Sequence, residues 1–266
     1  MRIAIIPARG GSKRIPRKNI KFFFDKPIIA YSILAAFKSQ MFDRVLVSTD
    51  DKEIAKIAQE YGAEVPFIRS SELSEDHSSI FEVVSDAVKW TINEKWNVTK
   101  VCCIYATAPF IDISDIISGY ETLQSGKWAY TFSATEYVFP VSRAFIKHTE
   151  GGVKMLHPEN FLKRSQDLPI AYHDAAHFFW SDPTTLIERK KILFDDHSYP
   201  IIIPNWRVCD IDTEDDLNLA KLHLDPTIIE NSNFLIQIHK EYKQNRSKAL
   251  DIKQFKNYLL GLVNEK

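Results

Sequence analysis

Short, nearly continuous apolar runs alternate along this chain with longer stretches in which apolar residues recur every third or fourth position. "RIAIIPA" (2–8), "RVLVST" (44–49), "KVCCIYA" (100–106) and "AYTFSA" (129–134) are of the first kind and predict strands buried on both faces. "KPIIAYSILAAFKSQ" (26–40), "DDKEIAKIAQEYG" (50–62), residues 79–95 and "ISDIISGYETLQSG" (113–126) are of the second kind and predict helices. Pro27 suits a first helical turn, and acids at 50–51 with Gly62 frame the second helix. "EVPF" (64–67) reads as a short strand. Such alternation predicts an α/β fold with a mostly parallel central sheet and helices on both faces. Ligands of such sheets bind beyond the carboxyl ends of the strands, which singles out residues 8–21, 48–51, 66–79 and 105–112.

The rhythm breaks between 135 and 180, where "YVFPVSRAFIK", a Gly151-Gly152 turn and "VKML" predict an antiparallel excursion. It returns over 201–224 as a strand, a second short strand and a helix. Beyond Asp225-Pro226 a charged tail with apolar spacing reads as amphipathic helix. The expected layout is a domain over 1–224, with 135–165 projecting from it, and a helical extension over 225–266.

Composition changes this picture little. Of 266 residues 45% are hydrophobic, enough for a sizeable core, and the formal charge of −1 gives no reason to expect nucleic acid or membrane as partner. No run reaches ~18 apolar residues, and no leader precedes the first strand. Three cysteines, two adjacent in an apolar run, read as buried thiols in a reducing compartment. The expectation is a cytoplasmic protein.

Against that neutral background one loop stands out. "IIPARGGSKRIPRKNIK" (5–21) carries two glycines and Arg9, Lys13, Arg14, Arg17, Lys18 and Lys21, with no acid before Asp25. Glycines let amide N–H groups converge on an anion, and the cations add charge-assisted hydrogen bonds, a combination suited to polyphosphate. The spacing is neither that of a P-loop nor of the dinucleotide fingerprint.

"IPARGGSKRIPRKNI" resembles the signature of the cytidylyltransferases that activate nonulosonic and other 3-deoxy-ulosonic acids, the acylneuraminate cytidylyltransferase family. The resemblance spans residues 1–224. It implies a Rossmann-like nucleotidyltransferase that uses CTP, Mg²⁺ and a free sugar to make a CMP-sugar and pyrophosphate, the product serving surface-glycan or flagellin glycosylation. It implies that Ala8, Arg9, Gly10, Gly11, Ser12 and Lys13 hold the triphosphate. Lys18 would meet the α-phosphate, with Arg9, Lys18 and Asp212 as the catalytic set, and Asn19 would help recognise the nucleotide. Arg14, Arg17 and Lys21 read as solvated. "RSSELSEDHSS" (69–79) resembles the segment that closes over cytosine, through Arg69 and Ser78.

In "VCDIDTEDDL" (208–217), Asp210 and Asp212 would share one face of an extended strand and could hold Mg²⁺. A capping role for Thr213 or Asp212 stands beside that reading. "IYATAPFI" (104–111) has Tyr105 where the family has Gln and Ala108 where it has Ser, with Thr107 between; the variant resembles the pseudaminic acid branch and implies acceptor contacts from Tyr105 and Thr107 at the strand end that faces the sugar. "RSQDLPIAYHDAAHFFW" (164–180) resembles the acceptor segment of that branch and implies acceptor contacts from Arg164, Gln166, Asp167 and His173. His173 and His177 are four apart, a metal pair only on a helix, whereas this context is a loop entering a strand. The projecting segment implies a homodimer, with Arg143 or Lys147 reaching the partner's acceptor site. Acceptors other than pseudaminic acid, namely N-acylneuraminate or legionaminate, and a non-catalytic nucleotide-binding protein are the alternatives.

Overall fold

The computed structural model describes residues 1–75, 77–188 and 191–223. In chain order these form β1 (Arg2–Pro7), β2 (Phe22–Phe23), β3 (Lys26–Pro27), α1 (Ile28–Lys38), β4 (Arg44–Ser48), α2 (Lys52–Glu60), α3 (Ile80–Asn93), β5 (Lys100–Ile104), α4 (Ile113–Gln124), β6 (Tyr130–Glu136), β7 (Phe145–Lys147), β8 (Val153–Met155), β9 (Tyr172–Ser181), α5 (Pro183–Glu188), β10 (Ser198–Ile202) and α6 (Glu214–His223). The helical extension expected over 225–266 lies outside the described residues.

Six strands make one sheet in the order β10-β6-β9-β5-β1-β4. β4, β1 and β5 run parallel, as do β6 and β10, and β9 lies antiparallel between the two groups. The expected mostly parallel α/β sheet is therefore present, with one antiparallel strand at its centre. Successive residues of β1 and β5 point to opposite faces. Ala4, Ile6, Cys102 and Ile104 join Ile29 and Ile33 of α1, Ile54 of α2 and Ile116 of α4 on one face. Ile3, Ile5, Val101 and Cys103 join Val84 and Val88 of α3 and Leu186 of α5 on the other. Each fully buried Ile, Val or Leu among them contributes about 1.5–3 kcal/mol. Cys102 and Cys103 are free thiols facing opposite ways, and burial raises the pKa of both.

Helix α4 meets β9 closely enough to require a glycine. A Cβ on Gly119 would stand 2.7 Å from the Phe178 ring and 3.0 Å from Trp180. The contact is sealed by the Trp180 indole N–H donating to Ile116 O (3.0 Å) and the Thr131 hydroxyl donating to Gly119 O (2.7 Å).

Three elements differ from expectation. In place of a strand over 64–67 there is a single bridge, Leu46↔Glu64, and a second one just beyond it, Thr49↔Ile68. Lys26 and Pro27 pair with β2, so α1 starts at Ile28, because extended Pro27 (ψ 139) cannot lie within the helix. The second short strand expected after β10 is a 3-10 turn, Asn205–Arg207, and an irregular run up to Thr213. The antiparallel excursion is real: β7 and β8 pair from Phe145↔Met155 to Lys147↔Val153, turning at Gly151 and Gly152, both at positive φ.

Candidate active site

The loop after β1 is folded back on itself by hydrophobic and polar anchors. Ala8, 1% exposed, donates its N–H to Ser48 O (2.9 Å). Ile15, fully buried, enters a small cluster with Phe23, Ile28, Phe110, Ile211 and Leu217. Between these anchors the Asn19 amide donates to Arg9 O (2.9 Å), and Ser12 N–H to Gly10 O (3.0 Å). Gly10 is held against the start of α2. Its N–H donates to Asp50 Oδ1 (2.9 Å), and a Cβ there would stand 2.7 Å from Asp51 Oδ2. A Cβ on Gly11 would meet nothing. The two glycines thus differ: Gly10 is required by packing, and Gly11 borders open space.

The loop cations expected to be solvated remain in contact with solvent, Arg14 at 65% exposure, and each also has an acidic partner. Arg17, at φ 57, binds Asp51 and Glu53, and Lys21 binds Glu214. Arg14 Nη2 lies 2.7 Å from Asp212 Oδ2. Carboxylates brought by α2 and by the segment before α6 explain this, since ion pairs across the fold are invisible in a local stretch. The hydrogen bond from Arg17 holds Asp51 below the usual carboxylate range, and Asp51 in turn caps α2 through Glu53 N–H and Ile54 N–H.

Lys18 leads the opposite way. Its Nζ donates to Ile211 O (2.7 Å) and to Asp212 Oδ1 (3.1 Å). Residues 208–213 are not a strand, so Asp210 and Asp212 do not share a pleated face. Of the two capping possibilities, Thr213 takes the role. Its hydroxyl accepts from Asp216 N–H (3.2 Å), while Asp216 Oδ2 accepts from Thr213 N–H (2.7 Å) and Asp212 N–H (3.1 Å). The Asp212 carboxylate is left facing Lys18 and Arg14. Asp210 makes no hydrogen bond or ion pair among the described residues. The surrounding protein mass, and next the Asp212 charge, raise its pKa.

Arg9, Ser12, Lys13, Lys18 and Asn19, with Arg14 and Asp212, line a cavity of about 380 Å³. A second, of about 330 Å³, shares Arg9 and Lys13 and is walled by Gly11, Ser74, Glu75 and His77. Arg69 stands behind this wall, 5% exposed, its Nε donating to Ser74 Oγ (3.2 Å) and its Nη2 3.6 Å from Asp50. Burial lowers the Arg69 pKa. Ser78 closes its own turn, its hydroxyl donating to Glu72 O (2.9 Å). The sequence motifs assign no role to Asp50, which joins Gly10 to Arg69, or to His77. The signal for Asp50 lies in "STDD" at the carboxyl end of β4, one of the positions where ligands collect.

Tyr105 sits just past β5. Its N–H donates to His177 O (2.9 Å), and its hydroxyl lies 3.4 Å from Asp174 Oδ2. Burial pushes the Tyr105 and Asp174 pKa values up, and the Asp210 charge acts on both in the same direction. Asp174 Oδ1 accepts from Ala176 N–H (2.8 Å), and Ala176 is held at φ 52. Thr107 is half-buried in the adjacent turn. His173 packs against the Tyr137 ring at 4.6 Å, whereas His177 is buried in the sheet, so the two histidines do not form a metal pair. Arg164 and Asp167 pair with each other (2.8 Å), and no contact among the described residues joins them or Gln166 to either cavity.

A family model described as Cytidylyltransferase matches residues 3–261. The chain is 42% identical over 220 residues to a pseudaminic acid cytidylyltransferase of Campylobacter jejuni, covering 83% of this chain and 94% of that protein. It is 32% identical over 222 residues to an N-acylneuraminate cytidylyltransferase of Escherichia coli O18:K1:H7, covering 82% of this chain and 51% of that protein. A solved structure of CMP:2-keto-3-deoxy-manno-octonic acid synthetase complexed with CTP superposes with TM-score 0.62 at 14% identity, covering 83% and 96% of the two chains, and shares the fold. The basic loop after β1 and the acidic run that answers it across the sheet are thus set in a chain that belongs, over nearly its whole length, to the cytidylyltransferase family of nucleotidyltransferases.

Proposed function

We propose that this chain transfers CMP from CTP to pseudaminic acid, giving CMP-pseudaminic acid and pyrophosphate. The observation that carries the reaction is Lys18, whose Nζ joins the basic loop to Asp212 at one wall of the larger cavity. The acceptor rests on the 42% identity to the Campylobacter protein of that name. Arg9, Ser12 and Lys13, on the amide-rich turn at Gly10 and Gly11, hold the β- and γ-phosphates. Lys18 and Arg14 meet the α-phosphate. The sugar's anomeric hydroxyl attacks there from the Tyr105–Asp174 side, forming a new O–P bond as the bond to the β-phosphate breaks; pyrophosphate leaves and the hydroxyl proton passes to solvent. Fixed cations aimed at the growing charge of the leaving group stabilise the transition state without reorganisation. Ser74, Glu75 and His77, backed by Arg69, form the wall for the base, and His173 lies on the acceptor side.

Asp210 and Asp212 fit a hard divalent cation. They are two crowded carboxylates, one without a partner among the described residues. Among the described residues no group of three or more His, Cys, Asp or Glu could hold a metal, so Mg²⁺ would complete its shell with phosphate oxygens and water, as it does elsewhere. When bound, Mg²⁺ supplies charge neutralisation at the phosphates.

The projecting segment supports a homodimer. Phe139 is 81% exposed and Leu162 89%, flanking the β7–β8 hairpin, and Phe145 and Val153, 62% each, lie on that hairpin, which is too small to be stable alone. Deleting 138–158 would yield a monomer that binds CTP and turns over acceptor poorly; light scattering that finds the intact protein monomeric overturns this part. Use of CTP as substrate agrees with a cytoplasmic location, and no helix among the described residues is long and apolar enough to cross a membrane.

The test is pyrophosphate release with CTP against pseudaminic, legionaminic, N-acetylneuraminic and 3-deoxy-octulosonic acids. Turnover with the first supports the reading. Turnover confined to one of the others moves the acceptor, and CTP binding without release on any of them makes the protein a nucleotide binder.

A further inference from the structure

Arg207 is the least expected side chain near the site. It lies beyond β10 in the 3-10 turn Asn205–Arg207 and is 5% exposed. Its Nη2 lies 2.7 Å from Asp115 Oδ2, itself 5% exposed, and its Nη1 lies 3.7 Å from Asp112 Oδ2. Asp112 also caps α4, its Oδ1 accepting from Ser114 N–H (2.8 Å). The guanidinium is therefore plugged into the first turn of α4, where the turn Tyr105–Ile111 ends.

Arg207 also stands just ahead of the two acids in the chain, with Asp210 three residues on and Asp212 five. Downstream the run is fixed by buried Ile211, by Lys18 on Ile211 O and by the Thr213–Asp216 cap. Upstream, Ile203 N–H donates to Ala134 O (2.7 Å) and Thr135 to Asn205 Oδ1, but these ties lie before Arg207. Between Arg207 and the acids the Cys209 thiol contacts Asp216 O (3.6 Å), a tie back to α6. Ile211 packs with Phe110 of the turn after β5, and Arg207 is the charged anchor that ties the run to the start of α4, where that turn ends. A buried ion pair is weak evidence for stability, because desolvation of both charges offsets their attraction. Holding geometry is a better account of its cost.

Resting on the metal reading above, we infer that Arg207 is a positioning residue: its buried pair with Asp115 sets the place of Asp210 and Asp212 relative to the turn after β5. Residues that hold ligands act on metal affinity through orientation.

The test measures Mn²⁺ binding to the full chain in the presence of CTP, by electron paramagnetic resonance and without acceptor. Arg207→Met and the double variant Arg207→Met/Asp115→Leu should bind Mn²⁺ about ten- to a hundredfold more weakly, and Arg207→Lys should fall between them and wild type. The double variant removes both charges and so keeps the fold testable; Arg207→Lys, which retains the charge, serves if it too unfolds. Lys100→Met breaks the Lys100–Asp182 pair (2.5 Å) at the other end of β5 and should lower stability with native Mn²⁺ affinity. Native Mn²⁺ affinity in a folded Arg207 variant overturns the inference, as does a wild type that binds no Mn²⁺. A wild type that binds Mn²⁺ and CTP but transfers nothing overturns the proposed transfer and leaves Arg207 in its role.

Discussion

Lys18 and Asp212 lie 194 positions apart and meet at 3.1 Å, so that one cation of the basic loop is already committed to the acid that ends the opposite motif. The same ammonium also holds Ile211 O (2.7 Å). Lys18 is thereby aimed before any substrate arrives. Lys18→Met should lower kcat by about 10²- to 10³-fold, as loss of one aimed donor does, with little change in the KM for CTP. Steady-state kinetics decide it: a rise in KM alone would make Lys18 a ground-state anchor.

Asp212 offers the complementary case. Asp212→Asn leaves the Thr213–Asp216 cap intact and so should fold with an unchanged melting temperature. It should lose most turnover while binding CTP at least as well, because Lys18 and Arg14 lose their competing carboxylate. Calorimetric titration with CTP beside a turnover assay separates the two effects; unchanged turnover at saturating Mg²⁺ would refute the metal role.

Arg17 divides from these. It binds Asp51, the cap of α2, and is 39% exposed there. Arg17→Ala should cost about 0.5–1 kcal/mol of stability and leave kcat near wild type. Urea unfolding and turnover measured together check it, and lost turnover with unchanged stability would move Arg17 to the phosphates.

The strands, helices and basic loop were legible because they are local: period, caps and a run of cations each sit within one stretch of sequence. "RIAIIPA" and "DDKEIAKIAQEYG" became β1 and α2 almost residue for residue. Three things were not local. Arg17, Arg14 and Lys21 look unpaired until the acids of other segments are brought to them. The alternation of Asp210 and Asp212 suggests a strand, whereas residues 208–213 follow the turn Asn205–Arg207 as an irregular run, held by Lys18 on Ile211 O and by the Thr213–Asp216 cap. Arg207 in "NWRV" looks like a surface residue, and only the first turn of α4 makes it a buried one.

Gly119 is a stability position with no part in the chemistry. Gly119→Ala drives a methyl to within 2.7 Å of the Phe178 ring and should cost about 1–3 kcal/mol by overpacking. A shift of the urea midpoint to lower concentration is expected; an unshifted midpoint would mean α4 slides on the sheet at no cost.

His177 supplies a pH dependence. Burial, reinforced by the Arg207 charge, lowers its pKa from 6.5 to about 3. Between those values the unfolded chain binds the proton and the folded one does not, so stability falls as pH drops from 6.5 towards 3. The loss attributable to this residue is on the order of a few kcal/mol. Unfolding free energies across this range should decline less steeply in His177→Gln than in wild type, and parallel curves would reject the assignment.

The position of β9 has a temporal meaning. β4, β1 and β5 are made from residues up to 104, and β6 from 130 to 136, yet the strand that joins them spans Tyr172–Ser181. Until that stretch has left the ribosome, β5 and β6 each present a bare edge, and neither half can pair with the other. Closure of the sheet therefore waits on contacts between distant parts of the chain, the kind that slow folding. The strand that closes it carries Asp174 at its polar end, so the meeting of Asp174 with the Tyr105 hydroxyl (3.4 Å) comes into being in the same event that makes the two halves one sheet.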